Sequence, residues 1–420
     1  MFNQGLSLDQ APPISVIMRF FLTIPFFGIL TALAIIFSDS HMLGAWDQPH
    51  SVAVVHLVML GIAAMAMVGA LFQMLPVIAG APISEPLYHA RWIHLLLILG
   101  TLMISAAFYF NIYTLMHPAV PLLLGTFGFV IYLMLTKLFA VENKTSSVKG
   151  MIVSLLSLGV GSVFALLLTA IFMGADLGLD PLLLRSVHVR FMLLGWVGVL
   201  VMAVAFQVIE MFYVTPSYLK YIRLIFPLGV LFLLLLHTVS LFLDSALASV
   251  ADILLALLFL VFAAVTIKRL MQRKRPVADA TVWLWRSAML SLAFASLFFM
   301  LHTVTGYGWA GTASALLYAY FILSVIFAMS YKIVPFLVWF HLNAKGVIET
   351  PMMGDIIPSK SAMLHLWLHW ALFAAGVGLF FTPYAWKVVG AVIAVESILY
   401  GINLFGAMKI YNSLKDKGHL

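Results

Sequence analysis

The chain is built of long apolar runs separated by short polar breaks. A helix rises ~1.5 Å per residue, so about twenty apolar residues cross a bilayer core ~30 Å thick. Taken in order, the runs predict twelve membrane-spanning helices: 16–37, 52–79, 91–114, 119–140, 150–173, 183–210, 222–243, 247–268, 285–305, 309–332, 362–381 and 384–408. The second and sixth are longer than a bilayer requires, which predicts tilt or projection beyond it. No small-residue cleavage pattern follows the first run, Met18 to Phe37, so it reads as a permanent span and not as a removed signal. The longest break, 341–361, contains Pro351, Gly354 and Pro358 and is too short for a separate soluble domain. Residues 1–420 therefore read as a single transmembrane domain, an all-α membrane protein.

Composition points the same way. Of the 420 residues, 64% are hydrophobic and 9% charged, more apolar surface than a soluble domain can bury. The net charge of +7 could signal an acidic partner, but its distribution gives a simpler account. With the N-terminus placed inside, every basic residue except Arg185, Arg190 and Lys387 falls at the cytoplasmic ends of the runs, 19 of 22. The outer breaks carry acids instead: Asp39, Asp47, Asp176, Asp180, Asp244 and Asp252. This bias predicts a multi-pass protein of a bacterial inner membrane with both termini in the cytoplasm. The basic run Lys268 to Arg275, ending at Pro276, is then a short linker between spans eight and nine, and no nucleic-acid motif accompanies it. Cysteine is absent, which excludes disulfides, thiolate metal ligands and iron–sulfur clusters.

The second span reads His56-Leu-Val-Met-Leu-Gly61 and later Gln73-Met-Leu-Pro76; the sixth reads His188, Gly195 and then Gln207-Val-Ile-Glu210. Gly61 precedes Gln73, and Gly195 precedes Gln207, by the same interval, and the tenth span, ending Tyr331-Lys332-Ile-Val-Pro335, resembles a third copy without the histidine. Four spans separate successive copies. The expectation is three pseudo-repeated four-helix units, at about 16–140, 150–268 and 285–408, related by rotation about the membrane normal.

Ionisable groups inside spans are expensive, and their presence suggests function. Four histidines fall within spans near the outer face: His56, His188, His237 and His302. Four different helices thus offer imidazole at similar depth, and imidazole ligates metals and haem iron. Each residue also has a plain reading, as a ring snorkelling to the interface or bonded to a carbonyl. Arg185 shares a helix face with His188, placed either to pair with a haem propionate or to meet lipid phosphate. His365 and His369, one turn apart, could form a metal pair but read more simply as interfacial. Gln73, Gln207, Glu210 and Lys332, at the inner ends of the repeats, could mark a proton or ion route or simply reach the headgroups.

The spacing His56-x4-Gly61-x7-Gly69-x3-Gln73-x2-Pro76 resembles the corresponding helix of the NnrS family, which has twelve spans and is associated with haem, copper and nitric-oxide stress. The following Ala79-Gly80-Ala81-Pro82 resembles the segment after helix two of haem–copper oxidase subunit I, likewise twelve helices in three arcs. This resemblance makes His56 the best haem-ligand candidate, and His188 and His237 match oxidase metal-ligand helices by location alone. It departs from the oxidase pattern where His237 stands alone and where no histidine lies between Ala310 and Ser330. That argues against a standard oxygen-reducing binuclear centre. The expectation is a haem-binding protein of nitric-oxide or respiratory metabolism, with b-type haem and copper as candidate cofactors. His56, His188, His237 and His302 are its candidate ligands. Without a soluble cytochrome domain, electrons would come from a quinol or another respiratory protein; a homo-oligomer is compatible. The alternatives are a cofactor-free secondary transporter, against which little charge is legible inside the spans, and an accessory subunit of a respiratory complex.

Overall fold

The structure, a computed structural model, describes residues 8–243, 246–275 and 277–416. Asp244, Pro276 and Lys417, which entered the charge and linker arguments, lie outside the described residues. Among the described residues the fold is all helical. Eleven helices are long and apolar enough to cross a membrane: α1 (Ile14–Phe37), α2 (Pro49–Ala79), α3 (Pro86–Tyr109), α4 (Tyr113–Phe139), α5 (Ser146–Phe172), α6 (Pro181–Tyr213), α7 (Lys220–Phe242), α8 (Leu247–Met271), α9 (Ala280–Thr305), α10 (Gly308–Ala344) and, closing the chain, Ala385–Leu414. Between the last two lies Ser359–Gly378, the position of the remaining predicted span. Its twenty residues match a bilayer in length, but His365 and His369 lower its hydropathy and keep it out of the apolar set. We number it α11, and Ala385–Leu414 α12.

Several boundaries differ from the sequence reading for local reasons. α3 begins at Pro86, a residue that suits a first helical position, five residues earlier than expected. It ends before Asn111, which turns the chain at φ 56°. α10 does not stop at 332 but runs through Pro335 to Ala344, shortening the supposed 341–361 loop. What remains of that loop contains a one-turn helix, Met353–Ile356.

The helices form a closed ring around an inner group. α1, α3, α4, α5, α7, α8, α9, α11 and α12 contact one another in that order, and α12 closes on α1. Inside stand α2, α6 and α10, with 61, 67 and 89% of their apolar windows buried, against 33–50% for the other membrane-length helices. Every fourth helix is therefore an inner one. Large apolar side chains such as Phe129, Phe232, Phe294, Ile402 and Phe405 face outward and exposed. In water such a surface would aggregate; it suits lipid, and the chain is a multi-pass membrane protein. Without a hydrophobic drive between helices, close packing at small residues holds them. A Cβ on Gly61 would sit 2.3 Å from the Phe27 ring, and one on Gly195 2.6 Å from Ser157 Cβ.

α2 and α6 share an unusual backbone. Each opens as a regular α-helix, widens into eight residues of π-helix (Leu57–Ala64 and Phe191–Gly198), and resumes as fifteen α-helical residues. Each then ends at a left-handed residue, Gly80 (φ 62°) and Val214 (φ 52°). All these boundaries are 134 residues apart, as are Gln73 and Gln207. π-Helix is rare because its wide turns bond less well, so the shared segment extends the sequence repeat to the backbone. At this register His56 corresponds to Arg190, and His188 to Val54. The two histidines head equivalent helices but are not equivalent residues. α10 contains no π segment.

Candidate functional site

We call the end of the bundle at which α1 begins and α12 ends the terminus face and the other the far face. His56, His188, His237 and His302 all lie toward the far face. His56 stands just before the π segment of α2, half-buried, with Nδ1 2.8 Å from the Val52 carbonyl and its ring stacked on Phe108. His188 stands just before the π segment of α6, with Nδ1 2.9 Å from the Gly161 carbonyl of α5. A carbonyl only accepts, so in both neutral rings Nδ1 donates and Nε2 keeps its lone pair. His302, at the end of α9, is fixed in the same way by the Tyr307 carbonyl at 3.0 Å and packs over Gly311 of α10. Arg185 is exposed on the first turns of α6.

His237 differs from these. It is buried, with Nδ1 3.1 Å from Asp252 Oδ1 and Nε2 3.4 Å from Ser186 Oγ. Arg190 grips the same Asp252 with two bonds, Nε to Oδ1 at 2.8 Å and Nη2 to Oδ2 at 2.7 Å. Asp252, counted above with the outer-loop acids, is in fact inside α8 and buried. α6, α7 and α8 are thus joined by an Arg190–Asp252–His237 network that occupies both nitrogens of His237.

The inner-end residues split. Gln73 is buried, and its Oε1 has no hydrogen-bond partner. Glu210 receives the Tyr218 amide at 2.8 Å and the Ser217 hydroxyl at 2.8 Å, fixing the turn after α6. Lys332 pairs with Asp279, the N-cap of α9, and lies over the Tyr213 ring. Burial alone would raise the Asp279 carboxyl, but Lys332 and bonds from Thr281 and the Val282 amide hold it below the ordinary carboxylate range.

The most enclosed polar cluster involves residues that the sequence reading set aside. His365 and His369 are not interfacial: both are fully buried, facing Glu396 of α12. Glu396 Oε1 is 3.0 Å from His365 Nε2 and 2.7 Å from His369 Nδ1. The outer nitrogens continue the chain in both directions. His365 Nδ1 meets the Tyr331 hydroxyl, and His369 Nε2 lies 2.7 Å from Ser324 Oγ. Asn403 Nδ2 donates to Tyr331 at 2.9 Å, and the Ser361 hydroxyl donates to Asn403 Oδ1 at 2.6 Å. Tyr320 stacks flat on His369, ring centroids 4.2 Å apart. Helical geometry explains the convergence: His365 and His369 are one turn apart, so both rings leave α11 on the same side. The statement that the spans hold little charge is corrected by Glu396, roughly halfway along its helix. The signal that could have found it was an acid in the middle of an apolar run.

Among the described residues, no three His, Asp or Glu side chains are arranged to hold a metal ion on their own. Comparison of the chain with protein-family models and with curated proteins found no match.

Proposed function

We propose that this chain is a twelve-span, haem-binding protein of a bacterial inner membrane, in nitric-oxide or respiratory metabolism, with the terminus face in the cytoplasm. The observation that carries this reading is the pair His56 and His188. Each ring heads the π segment of an inner helix, has its Nδ1 anchored on a backbone carbonyl, and keeps Nε2 uncommitted. A neutral imidazole held by its other nitrogen is the donor that haem iron takes as an axial ligand. The donor chemistry therefore fits haem. His302 is a further donor of the same kind, whereas both nitrogens of His237 are engaged, and its role is to hold Asp252. Arg185, exposed on the same helix face as His188, suits a propionate. Haem, when bound, would supply one-electron chemistry and a site for a diatomic ligand. The chain itself orients the two rings through their Nδ1 bonds.

The twelfth span is α11, since its two histidines are buried against α10 and α12 and need not meet lipid. That α2, α6 and α10 are the inner helices supports three four-helix units. The basic bias supports a terminus face on the cytoplasmic side.

Reduced-minus-oxidised absorption spectra of the purified protein, with iron and copper analysis, test the reading. A Soret band that is lost in His56→Ala or His188→Ala is expected. Metal-free protein with a featureless spectrum overturns it. A second reading, a proton-coupled transporter without cofactor, is favoured by Glu396, since a buried carboxylate with two imidazoles can bind the coupling ion. Solute uptake by metal-free protein in proteoliposomes would select it.

A further inference from the structure

The cluster between α10, α11 and α12 can be read proton by proton. The Ser361 hydroxyl donates to Asn403 Oδ1, and Asn403 Nδ2 donates to the Tyr331 oxygen. With an amide proton at its oxygen, Tyr331 turns its own hydroxyl hydrogen to His365 Nδ1. His365 is thereby the Nε2–H tautomer and donates to Glu396 Oε1. On the other side, Ser324 Oγ lies 2.7 Å from both the Tyr320 carbonyl and His369 Nε2. A serine has one hydrogen. If it goes to the carbonyl, which only accepts, His369 must offer a proton at Nε2. His369 Nδ1, 2.7 Å from Glu396 Oε1, then needs a second proton between those two atoms.

Electrostatics gives the same count. Glu396 is 2% exposed and both imidazoles are fully buried. A lone carboxylate in such a place is far costlier than a neutral cluster, so one added proton is favoured. The other titratable groups facing the cluster are Tyr320 and Tyr331 from α10 and Tyr400 from α12. At their contacts with α12 and α11, the neighbouring helices α1 and α9 present Gly28 and Ser287, which do not titrate.

We propose that His365, Glu396 and His369 form a proton store that holds one exchangeable proton between Glu396 and His369, loaded from the terminus face through Tyr331. Loading moves only O–H and N–H bonds and no electrons. Tyr331 takes a proton from hydronium on the terminus face as it passes its own to His365 Nδ1; His365 passes its Nε2 proton to Glu396, which shares it with His369 Nδ1, and His365 returns from the Nδ1–H to the Nε2–H tautomer before the next proton enters. Asn403 and Ser361 are positioning residues that fix the direction of the Tyr331 hydroxyl. The inference holds whether or not the protein binds haem, because none of these residues touches His56 or His188.

The test uses the full chain in nanodiscs at about pH 8, above the ordinary range of histidine. Nitrogen NMR of labelled histidine reads imidazolium, and infrared spectroscopy reads protonated carboxyl. One such signal per protein is expected, lost in Glu396→Gln, with proton exchange after a pH jump slowed at least tenfold in Tyr331→Phe. Two neutral imidazoles and an ionised carboxylate in the wild-type protein would overturn the store, as would a signal that survives Glu396→Gln. Unchanged exchange in Tyr331→Phe would overturn the loading route. Should Glu396→Gln not fold, the wild-type spectra and Tyr331→Phe still decide.

Discussion

The Arg190–Asp252–His237 network invites a quantitative test, because theory allows such a network to be either neutral or strongly coupled. Arg190→Leu removes both bonds to Asp252 and leaves a carboxylate whose side chain is 7% exposed. Removing one partner of a buried ion pair typically costs ~3–5 kcal/mol. Two features reduce this: the Arg190 side chain is 20% exposed, so solvent screens part of the interaction, and His237 remains 3.1 Å from Asp252. We expect a loss of about 2–3 kcal/mol for Arg190→Leu and a similar loss for Asp252→Leu, which strands the guanidinium instead. The double variant Arg190→Leu/Asp252→Leu leaves neither charge unpaired and should lose less than either single. Reversible unfolding of the detergent-solubilised protein in a denaturing surfactant, followed by circular dichroism, gives the double-mutant cycle. Single losses under about 0.5 kcal/mol, with additive behaviour in the double variant, would show that the pair behaves as an exposed one and refute the reasoning.

Other expectations follow from the packing and the backbone. Gly61→Val and Gly195→Val force a side chain into Phe27 and Ser157, and should each cost about 1–3 kcal/mol or abolish folding, read by the same unfolding assay. Val214 holds a left-handed conformation that disfavours a β-branched residue, so Val214→Gly should stabilise by about 1 kcal/mol, and destabilisation would mean that the valine packing outweighs its backbone. Asp279 is lowered in the folded protein, so its contribution is complete above an unfolded value near ~4 and fades as pH falls through the folded one. With its side chain 49% exposed, that contribution stays below ~1 kcal/mol, and Asp279→Asn should remove this part of the acid sensitivity in pH-dependent melts.

Length and hydropathy made the helices legible, since a bilayer imposes both. The repeat was legible in part. Gly61, Gln73, Gly195 and Gln207 mark a shared register because small and amide residues stand out in apolar runs. The π segments do not show in composition, since Leu-Val-Met-Leu and Phe-Met-Leu-Leu would suit an α-helix equally. The histidine layer was visible as a depth, but depth does not reveal which atoms are already bonded. His237 shares that depth with His56, yet Asp252 and Ser186 occupy it, and both come from helices adjacent only after folding. The buried cluster was missed for the same reason. His365 and His369 look interfacial when counted from the start of their own helix; only the packing of α12 brings Glu396 to them.

The contact between α12 and α1 has a consequence for biogenesis. Lys387, at the start of α12, donates to the Ile36 and Ser38 carbonyls that end α1, and Gly390 lies against Ile36 and Ala32. α1 leaves the ribosome long before α12, so it meets a principal neighbour only when α12 emerges. Until then α1 has one flank open to lipid or to the insertion machinery, and the ring is an unlatched arc. A chain truncated before α12 would keep most of its helices and lose its closure. Joining the two ends by a linker and opening the chain elsewhere should leave the closed ring intact.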